Sequence, residues 1–373
     1  MNLLSLQLRD FRTYANLNLR FPARLTFLTG PNANGKTNIL EAVGILSLGK
    51  SFRGATDADM AHANEGHYYI SGSFEKQNRM YDLSVGVELS GSKIKRKISL
   101  NDKTLSSRQQ LIGRLVTVIM SPTDILISDG GPAHRRRFLD MVLSYQNPEY
   151  LNNLITYNRA LRQRNALLKK IKSQKARLAD LDVWTAPLAD YAHKITRARL
   201  QFATDFDQIF AESLERISGG RDRLIMRLAL SAGLEAENPA AAIQKYVSRD
   251  LALGYTTVGP HRQNLMFEKN DADITRFGSQ GQKRSLVLAL RIAQFSYLQK
   301  TLKLAPILLI DDVIRELDGG RRGAFVQLLR ECGQAIFTTP DLDGLMISDE
   351  RIRSDMAVYE VDQPGSVNTS VPI

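Results

Sequence analysis

Apolar and polar positions along the chain follow strand and helix periods in an order that predicts an α/β protein. Residues 2–9 and 17–29 have strand patterning, with a turn around residues 12–15. The mostly apolar run at 25–28 ends just before a Gly-Pro pair, as a buried strand leading into a loop does. The next segment, 38–48, has helical apolar spacing.

The remainder continues this alternation of strands and helices. Alternating stretches at 68–74, 81–87 and 95–100 predict an antiparallel layer with a hairpin turn at 101–103, and residues 133–217 have a helical pattern that Ser218-Gly219-Gly220 closes. Further on, the pattern predicts strands at 223–230, 253–258, 307–310 and 334–338 and helices at 282–300 and 321–332.

Length and charge limit the classes of function. A chain of 373 residues is long enough for two domains, or for one large α/β domain with an insertion. Lys plus Arg exceed Asp plus Glu by 50 − 39, or +11, and the sequence pI is near 9.7. This balance favours a polyanionic partner, nucleic acid first and an acidic membrane surface second.

Cysteine and histidine usage predicts a cytoplasmic protein without a zinc site. Cys332 is the single cysteine, which rules out an intramolecular disulfide, and the five histidines are scattered. The N-terminal residues lack the features of a secretory signal, and no run approaches 18 uncharged apolar residues. We therefore expect a cytoplasmic location and no membrane span.

The strongest chemical signal is a GxxxxGK[ST] loop between the first buried strand and the first helix. Glycines let the backbone wrap around phosphates, so that its N–H groups and the helix N-terminus face negative charge. Lys36 would reach the β- and γ-phosphates, and Thr37 would offer a hydroxyl to Mg²⁺. The predicted ATP-binding residues are Gly30, Pro31, Asn32, Ala33, Asn34, Gly35, Lys36 and Thr37.

A second signal is the pair Asp311-Asp312 at the end of the apolar run 307–310. Such a run suits a central parallel strand whose carboxyl end lies beside the phosphate loop. We assign Asp311 to the magnesium ion and Asp312 to the base that polarises an attacking water.

A third signal is the segment 277–285, in which Ser279, Gln280 and Gly281 open a helix. This second helix start suited to phosphate is explained most simply if it meets the nucleotide of another subunit, which predicts an ATP-dependent homodimer.

The three signals together resemble the ABC ATPase heads of the SMC group. Lys36 and Asp311 are 275 residues apart, so an insertion splits the head, and the helical stretch is too short for a long coiled coil. The resemblance narrows to the bacterial RecF family over about four-fifths of the chain. The supporting segments are LRDFRTY (8–14), GPNANGKTNILEA (30–42), SPTD (121–124), HRRRFLD (134–140), YNRALRQRNALL (157–168), LDVW (181–184), VGPHR (258–262), FGSQGQKRSLVLAL (277–290) and LLIDDVIRELD (308–318).

This resemblance implies an ABC-type P-loop ATPase head, with a mixed sheet and an antiparallel layer, built from residues 1–125 and 255–373. Residues 126–254 would form an inserted, largely helical arm domain. RecF-like proteins are cytosolic ATP-dependent dimers that bind DNA at single-strand/double-strand junctions and gaps. They work with RecO and RecR in loading RecA, and they hydrolyse ATP slowly. Ser279 would reach the partner's γ-phosphate, and Glu316, Leu317 and Asp318 would cross the dimer interface.

Two departures from the family pattern leave local roles open. Arg315 stands where a small or hydroxylated residue is usual, and it would either add a phosphate contact or face solvent. Gln263 and Asn264 stand where the family commonly has acidic residues after GPHR.

Several basic residues are candidates for contacts with phosphate groups. The acid-free stretch 150–179 would lie along DNA phosphates, or form a solvated helical arm with an apolar stripe. Lys93, Lys95 and Lys97 alternate in a strand and are candidate DNA contacts. Arg12 would approach the nucleotide or cap its turn.

Two other functions compete with an ATP-gated DNA-binding clamp. A nuclease-linked ABC ATPase would need an appended acidic metal cluster, which residues 341–373 lack. The ATP subunit of a membrane transporter is disfavoured by the large mid-chain insertion.

Overall fold

The computed structural model describes residues 1–63, 65–91, 93–231, 239–313, 319–342 and 354–370. These divide into two compact units. Unit 1 comprises the described parts of Met1–Asp124, Arg216–Gly219 and Leu288–Ile373, and unit 2 those of Ile125–Glu215 and Gly220–Val287. Within the described residues, no helix is long and apolar enough to cross a membrane.

The described residues form strands and helices in the following order. The strands are β1 (Asn2–Phe11), β2 (Tyr14–Arg20), β3 (Leu25–Thr29), β4 (His67–Lys76), β5 (Arg79–Ser90), β6 (Lys93–Leu100), β7 (Lys103–Thr104), β8 (Thr117–Met120), β9 (Ile225–Ala229), β10 (Asn264–Lys269), β11 (Ala272–Asp273), β12 (Ile307–Asp311), β13 (Gln334–Thr338), β14 (Met356–Gln363) and β15 (Ser366–Ser370). The helices are α1 (Lys36–Leu48), α2 (Asp57–Met60), α3 (Leu126–Asp129), α4 (Pro132–Gln146), α5 (Pro148–Lys172), α6 (Asp182–Ser218), α7 (Pro239–Lys245), α8 (Val247–Leu253), α9 (Ile274–Phe277), α10 (Gln280–Leu302) and α11 (Gly319–Glu331).

A mostly parallel sheet forms the centre of unit 1, with strand order β15-β14-β3-β13-β12-β8. The strands from β14 to β8 run parallel, and only β15 at the edge is antiparallel. All residues of β3, β12, β13 and β8 are buried, which accounts for their continuous apolar character. The carboxyl ends of these strands therefore meet at one edge of the sheet.

An antiparallel sheet of order β2-β1-β4-β5-β6-β7 forms the second layer of unit 1. Its strands alternate buried and exposed residues, because one face packs on the core and the other meets solvent. Helix α1 contacts strands of both sheets, and eleven of its thirteen residues are buried. Packing between the two layers explains why α1 is apolar on nearly all sides.

Unit 2 combines long helices with a small sheet. Helices α4, α5 and most of α6 belong to it, together with the sheet β11-β10-β9. Helix α10 starts in unit 2, and its residues from Leu288 onward belong to unit 1. The sequence prediction ended the arm domain at residue 254, whereas unit 2 continues to Val287, because β10 pairs with β9 and α9 contacts β10.

The α/β, ABC-type fold class is confirmed, and the predicted strands at 68–74, 81–87, 95–100 and 334–338 are present with shifts at their ends. The predicted strand at 253–258 is wrong. Gly254 ends α8 in a left-handed conformation, with φ 76°, and the next residues form no strand. Side chains bond the backbone there instead: the Thr256 N–H donates to Asn165 Oδ1 and the Thr257 N–H to Asp250 Oδ1, each at 2.8 Å.

Candidate nucleotide-binding site

The loop of residues 30–37 connects the buried strand β3 to α1 at the carboxyl edge of the parallel sheet. Pro31, Asn32 and Ala33 are exposed at its tip, whereas Gly35 and Lys36 are buried at its base. The Asn34 side-chain amide donates to Val361 O at 3.1 Å and to Asp362 O at 2.8 Å. The loop is thus anchored to the neighbouring strand β14.

Gly35 is required at the base of the loop by its conformation and by its neighbours. Its φ is 106°, and a Cβ there would stand 2.5 Å from Thr13 Oγ1 and 2.9 Å from the Tyr14 hydroxyl. Thr13 lies in the turn between β1 and β2, and Tyr14 begins β2. The glycine therefore allows this turn to pack directly against the start of α1.

Lys36 lies folded back over the loop. Its ammonium donates to Pro31 O at 2.7 Å and to Gly30 O. Only 6% of the residue is exposed. A cation at the N-terminal end of a helix suits a ligand that carries several negative charges.

Thr37 and Asp311 meet through a direct hydrogen bond, although they are 274 residues apart. The Thr37 hydroxyl donates to Asp311 Oδ1 at 2.7 Å. Thr338, at the end of β13, donates to the same oxygen at 2.7 Å. Hydroxyl and carboxylate oxygens are the ligands that Mg²⁺ prefers, so Thr37 and Asp311 fit a magnesium ion.

Asp312 directly follows β12, and hydrogen bonds from its own backbone N–H fix its position. Its N–H donates to Thr338 O at 3.2 Å and lies 3.1 Å from Thr338 Oγ1. Its φ of 49° is unusual for a residue other than glycine, and such strain is often retained where a side chain must point in one direction.

Arg12 lies at this edge of unit 1 and binds a buried carboxylate on α1. Its guanidinium donates to both oxygens of Glu41 at 2.9 Å and to Asp59 O at 2.6 Å. The carboxylate of Glu41 also accepts from Ser51, and Arg53 lies 3.6 Å from it. Arg12 thus links the turn between β1 and β2 to α1 and α2, and both of its predicted roles stay predictions.

Ser279 caps the N-terminus of α10 in unit 2. Its Oγ accepts from the Gln282 N–H at 3.3 Å, and Gln282 Oε1 accepts from the Ser279 N–H at 3.0 Å. Ser279 and Gln280 are exposed, Gly281 is partly buried, and Phe277 is 76% exposed. The first turn of α10 contains no acidic residue.

Sequence reasoning missed Thr338, although it identified its strand. The signal was available, because the carboxyl ends of parallel strands meet at one edge and Thr338 pairs in register with Asp311. Arg315, Glu316, Leu317 and Asp318 lie outside the described residues. Within the described residues, no group of three or more His, Cys, Asp or Glu side chains could hold a metal ion, and the nuclease alternative would need such a group.

The family model described as RecF/RecN/SMC N terminal domain matches residues 2–358. The DNA replication and repair protein RecF of Leptospira interrogans serovar Lai is 38% identical over 364 residues, which cover 97% of this chain and 98% of that protein. RecF of Agathobacter rectalis is 36% identical over 342 residues, or 91% of this chain and 92% of the relative.

Solved structures give the same relationship. The recombination mediator protein RecF with ATP, in the RecFOR pathway, has a TM-score of 0.89 and 28% identity, covering 99% of this chain and 97% of that one. A Pyrococcus furiosus Smc head bound to the C-terminal domain of ScpA has a TM-score of 0.55 at 18% identity, covering 99% and 95%. The second likeness concerns the fold alone.

Proposed function

This chain belongs to the RecF family of DNA replication and repair proteins, and from that membership we propose that it acts as an ATP-switched DNA-binding protein of recombinational repair. Its solved relative binds ATP and works in the RecFOR pathway. Carried over to this chain, the pathway supplies partners of the RecO and RecR type, RecA loading at gaps and a cytoplasmic location.

The hydrogen bond between Thr37 and Asp311 carries this proposal. It joins the end of the phosphate loop to the acidic end of β12 in the arrangement that a nucleotide with Mg²⁺ requires. When bound, the magnesium ion would neutralise phosphate charge, with Thr37 and Asp311 as its ligands. Lys36 would exchange its two carbonyl acceptors for phosphate oxygens.

Asp312 is the residue we assign to the attacking water. Its backbone is fixed by Thr338, and this limits the directions in which its carboxylate can point. A carboxylate at that position would orient a water and accept its proton. We infer a slow ATPase that is stimulated by DNA. Nucleotide binding, rather than turnover, would control its assembly on DNA.

The dimer is supported by the chemistry of the α10 N-terminus. The exposed residues Ser279 and Phe277 lie at or just before the acid-free first turn of α10. A helix N-terminus of this kind suits phosphate, and the exposed ring suits an apolar contact. We propose that Ser279 reaches the nucleotide held by the partner subunit. Loss of the γ-phosphate would then remove the bridge and release gapped DNA.

Size-exclusion chromatography with light scattering tests this proposal. The wild-type protein with ATP and Mg²⁺ is expected to elute as a dimer, and Lys36→Met as a monomer under the same conditions. Gapped duplex DNA should bind the wild-type protein more tightly when ATP is present.

Lys50→Met is the matched control, because Lys50 is exposed and lies outside the loop. It should dimerise with ATP as the wild type does. Equal dimerisation of Lys36→Met and wild type would overturn the ATP bridge.

A further inference from the structure

Four of the sequence segments shared with the family take no part in the nucleotide site. They are HRRRFLD, YNRALRQRNALL, LDVW and VGPHR, and all lie in unit 2. The structure brings three of them together, all except LDVW: side chains from α4, α5 and α6 hold the segment 255–264, which contains VGPHR, through hydrogen bonds.

Arg199 is the first anchor of this network. Its buried guanidinium donates to Asp140 at 2.7 Å, to Pro260 O at 2.7 Å and to Gln263 Oε1 at 2.8 Å. Asn264 in turn accepts from Arg135 at 2.9 Å. Gln263 and Asn264, the neutral residues in place of the family's acids, thus have structural roles.

Arg164 is the second anchor. It is fully buried and donates to Asp250 and to Thr256 Oγ1, each at 2.7 Å. This arginine therefore does not belong to a DNA-facing surface, in contrast to the other basic residues of the stretch 150–179, which are exposed.

His261 is turned inward between these anchors. Its ring hydrogen-bonds the Tyr157 hydroxyl at 2.5 Å and Thr256 O at 3.0 Å. Gly259 permits this turn, because at φ 150° a Cβ would stand 2.3 Å from the Tyr157 hydroxyl. The next residue, Arg262, is exposed.

Two further guanidinium groups lie beside this fixed segment. Arg262 lies over the ring of Tyr255, 5.0 Å from its centroid, and Arg136 donates to Gln263 O at 2.9 Å. Among the residues that the structure describes, neither has a carboxylate within ion-pair distance. Burial lowers the pKa of Arg136, and the positive charges of Arg199, Arg262 and Arg135 lower it further, against the effect of Asp140.

We propose that Arg136 and Arg262 form a phosphate-binding site that holds the backbone of duplex DNA. We call these two residues, with Tyr255, the Arg136–Arg262 site. A planar guanidinium held on an aromatic ring keeps its N–H edge free for the two oxygens of a phosphate. The proposal rests on the DNA binding proposed above and assigns residues to it.

The surroundings favour a polymeric anion over a single carboxylate. Lys172 of α5 donates to Ala252 O at 2.6 Å, and Lys169 packs near Gly254, so both lie against the segment that leads into Tyr255. Both lysines belong to the stretch from Tyr150 to Ala179, which covers most of α5 and has no acidic residue. Positive charge therefore continues along α5 from the site, as a phosphate backbone requires.

Fluorescence anisotropy with a gapped duplex tests the site in the full-length protein with ATP. Arg136→Ala/Arg262→Ala is expected to bind about tenfold more weakly, and the slope of log affinity against log salt should fall by about 1 to 2. ATP-dependent dimerisation should be unchanged. Because Arg136 is partly buried, the exposed single change Arg262→Ala provides a second measurement, with a smaller loss in the same direction.

Arg197→Ala/Arg223→Ala is the matched control, with the same change of charge at exposed positions of unit 2. Equal losses in the two double variants would assign the effect to net charge and overturn the site. Unchanged DNA affinity in Arg136→Ala/Arg262→Ala would overturn the DNA assignment. If the wild type itself binds no DNA, the proposed function fails instead.

Discussion

Two buried threonines on strands of the parallel sheet differ in what their hydroxyl groups bond. Thr338 Oγ1 donates to Asp311 and lies 3.1 Å from the Asp312 N–H, whereas Thr26 Oγ1 has no hydrogen-bond partner among the described residues. Thr338→Val is therefore expected to cost about 2 kcal/mol, since it removes a bond to a buried carboxylate. It should also weaken Mg²⁺-dependent nucleotide binding, which isothermal titration would measure.

Thr26→Val is the control for this prediction. It makes the same isosteric change in the same sheet but removes a hydroxyl that has no partner, so urea unfolding should show no loss of stability. Equal destabilisation by the two changes would mean that the Thr338 bonds contribute nothing.

His261 predicts how stability depends on pH. Burial lowers its pKa to about 4; the bond to Thr256 opposes this shift, and the charges of Arg262 and Arg136 add to it. The unfolded chain, with an ordinary histidine, binds the proton more readily between about pH 6.5 and pH 4. Stability from this residue is therefore complete above about pH 6.5 and is lost as pH falls to about 4, by at most about 3 kcal/mol.

Urea unfolding at pH 7.5 and pH 5 measures this effect. His261→Gln should be less stable than wild type at pH 7.5 but should lose less stability on acidification. An identical pH slope in both proteins would show that His261 does not titrate in this window.

At the scale of single residues, the sequence predicts the positions of side chains that belong to a recognisable motif. Lys36, Thr37 and Asp311 lie together as expected, because the spacing of a phosphate loop and the end of a buried strand constrain them. Arg164 shows the limit of this reasoning. Its place in a basic stretch suggests that the side chain lies on the surface. Its burial is explained by tertiary partners such as Asp250, which is 86 residues away in sequence.

Helix α10 has an N-terminus that combines two roles, and these can be separated by substitution. Ser279 caps the helix and is also the residue proposed to reach the partner's nucleotide. Asp is as good a cap as Ser, so Ser279→Asp should keep the stability of α10. Its negative charge should abolish ATP-dependent dimerisation, which light scattering would detect.

Gln282→Ala is the complementary change. It removes one bond of the capping box and the bond from the Gln282 side chain to Asp222 Oδ1 at 3.2 Å. The change is expected to cost about 1 kcal/mol and to leave dimerisation intact. Dimerisation of Ser279→Asp at the wild-type level would remove Ser279 from the interface.

At the scale of elements, buried strands are predictable from the sequence, whereas loops held by side-chain hydrogen bonds are not. Strand β12 is a continuous apolar run, and its pairing with β13 and β8 on both sides requires that composition. Residues 253–258 have similar strand character but form no strand, because Asn165 and Asp250 accept the backbone N–H bonds that a sheet would otherwise take up. These partners are distant in sequence or belong to another helix, so local pattern cannot reveal them.

At the scale of the whole molecule, the proposed function predicts that hydrogen-exchange protection depends on nucleotide in one region and also on protein concentration in another. The phosphate loop and Asp311 both belong to unit 1, so ATP with Mg²⁺ should protect residues 30–41 and 307–312 at any protein concentration. The segment 277–285 belongs to unit 2. If a second copy covers it, its protection should increase with protein concentration, because association is bimolecular.

Hydrogen exchange with mass spectrometry at two protein concentrations separates these effects. Lys36→Met should lose protection in all three segments, and Ser279→Asp should lose it only at 277–285. Protection of 277–285 that is independent of concentration would place the nucleotide and this segment within one chain, and the bridging dimer would then be wrong. Protection of 30–41 and 307–312 in Lys36→Met equal to that in wild type would remove Lys36 from the nucleotide site.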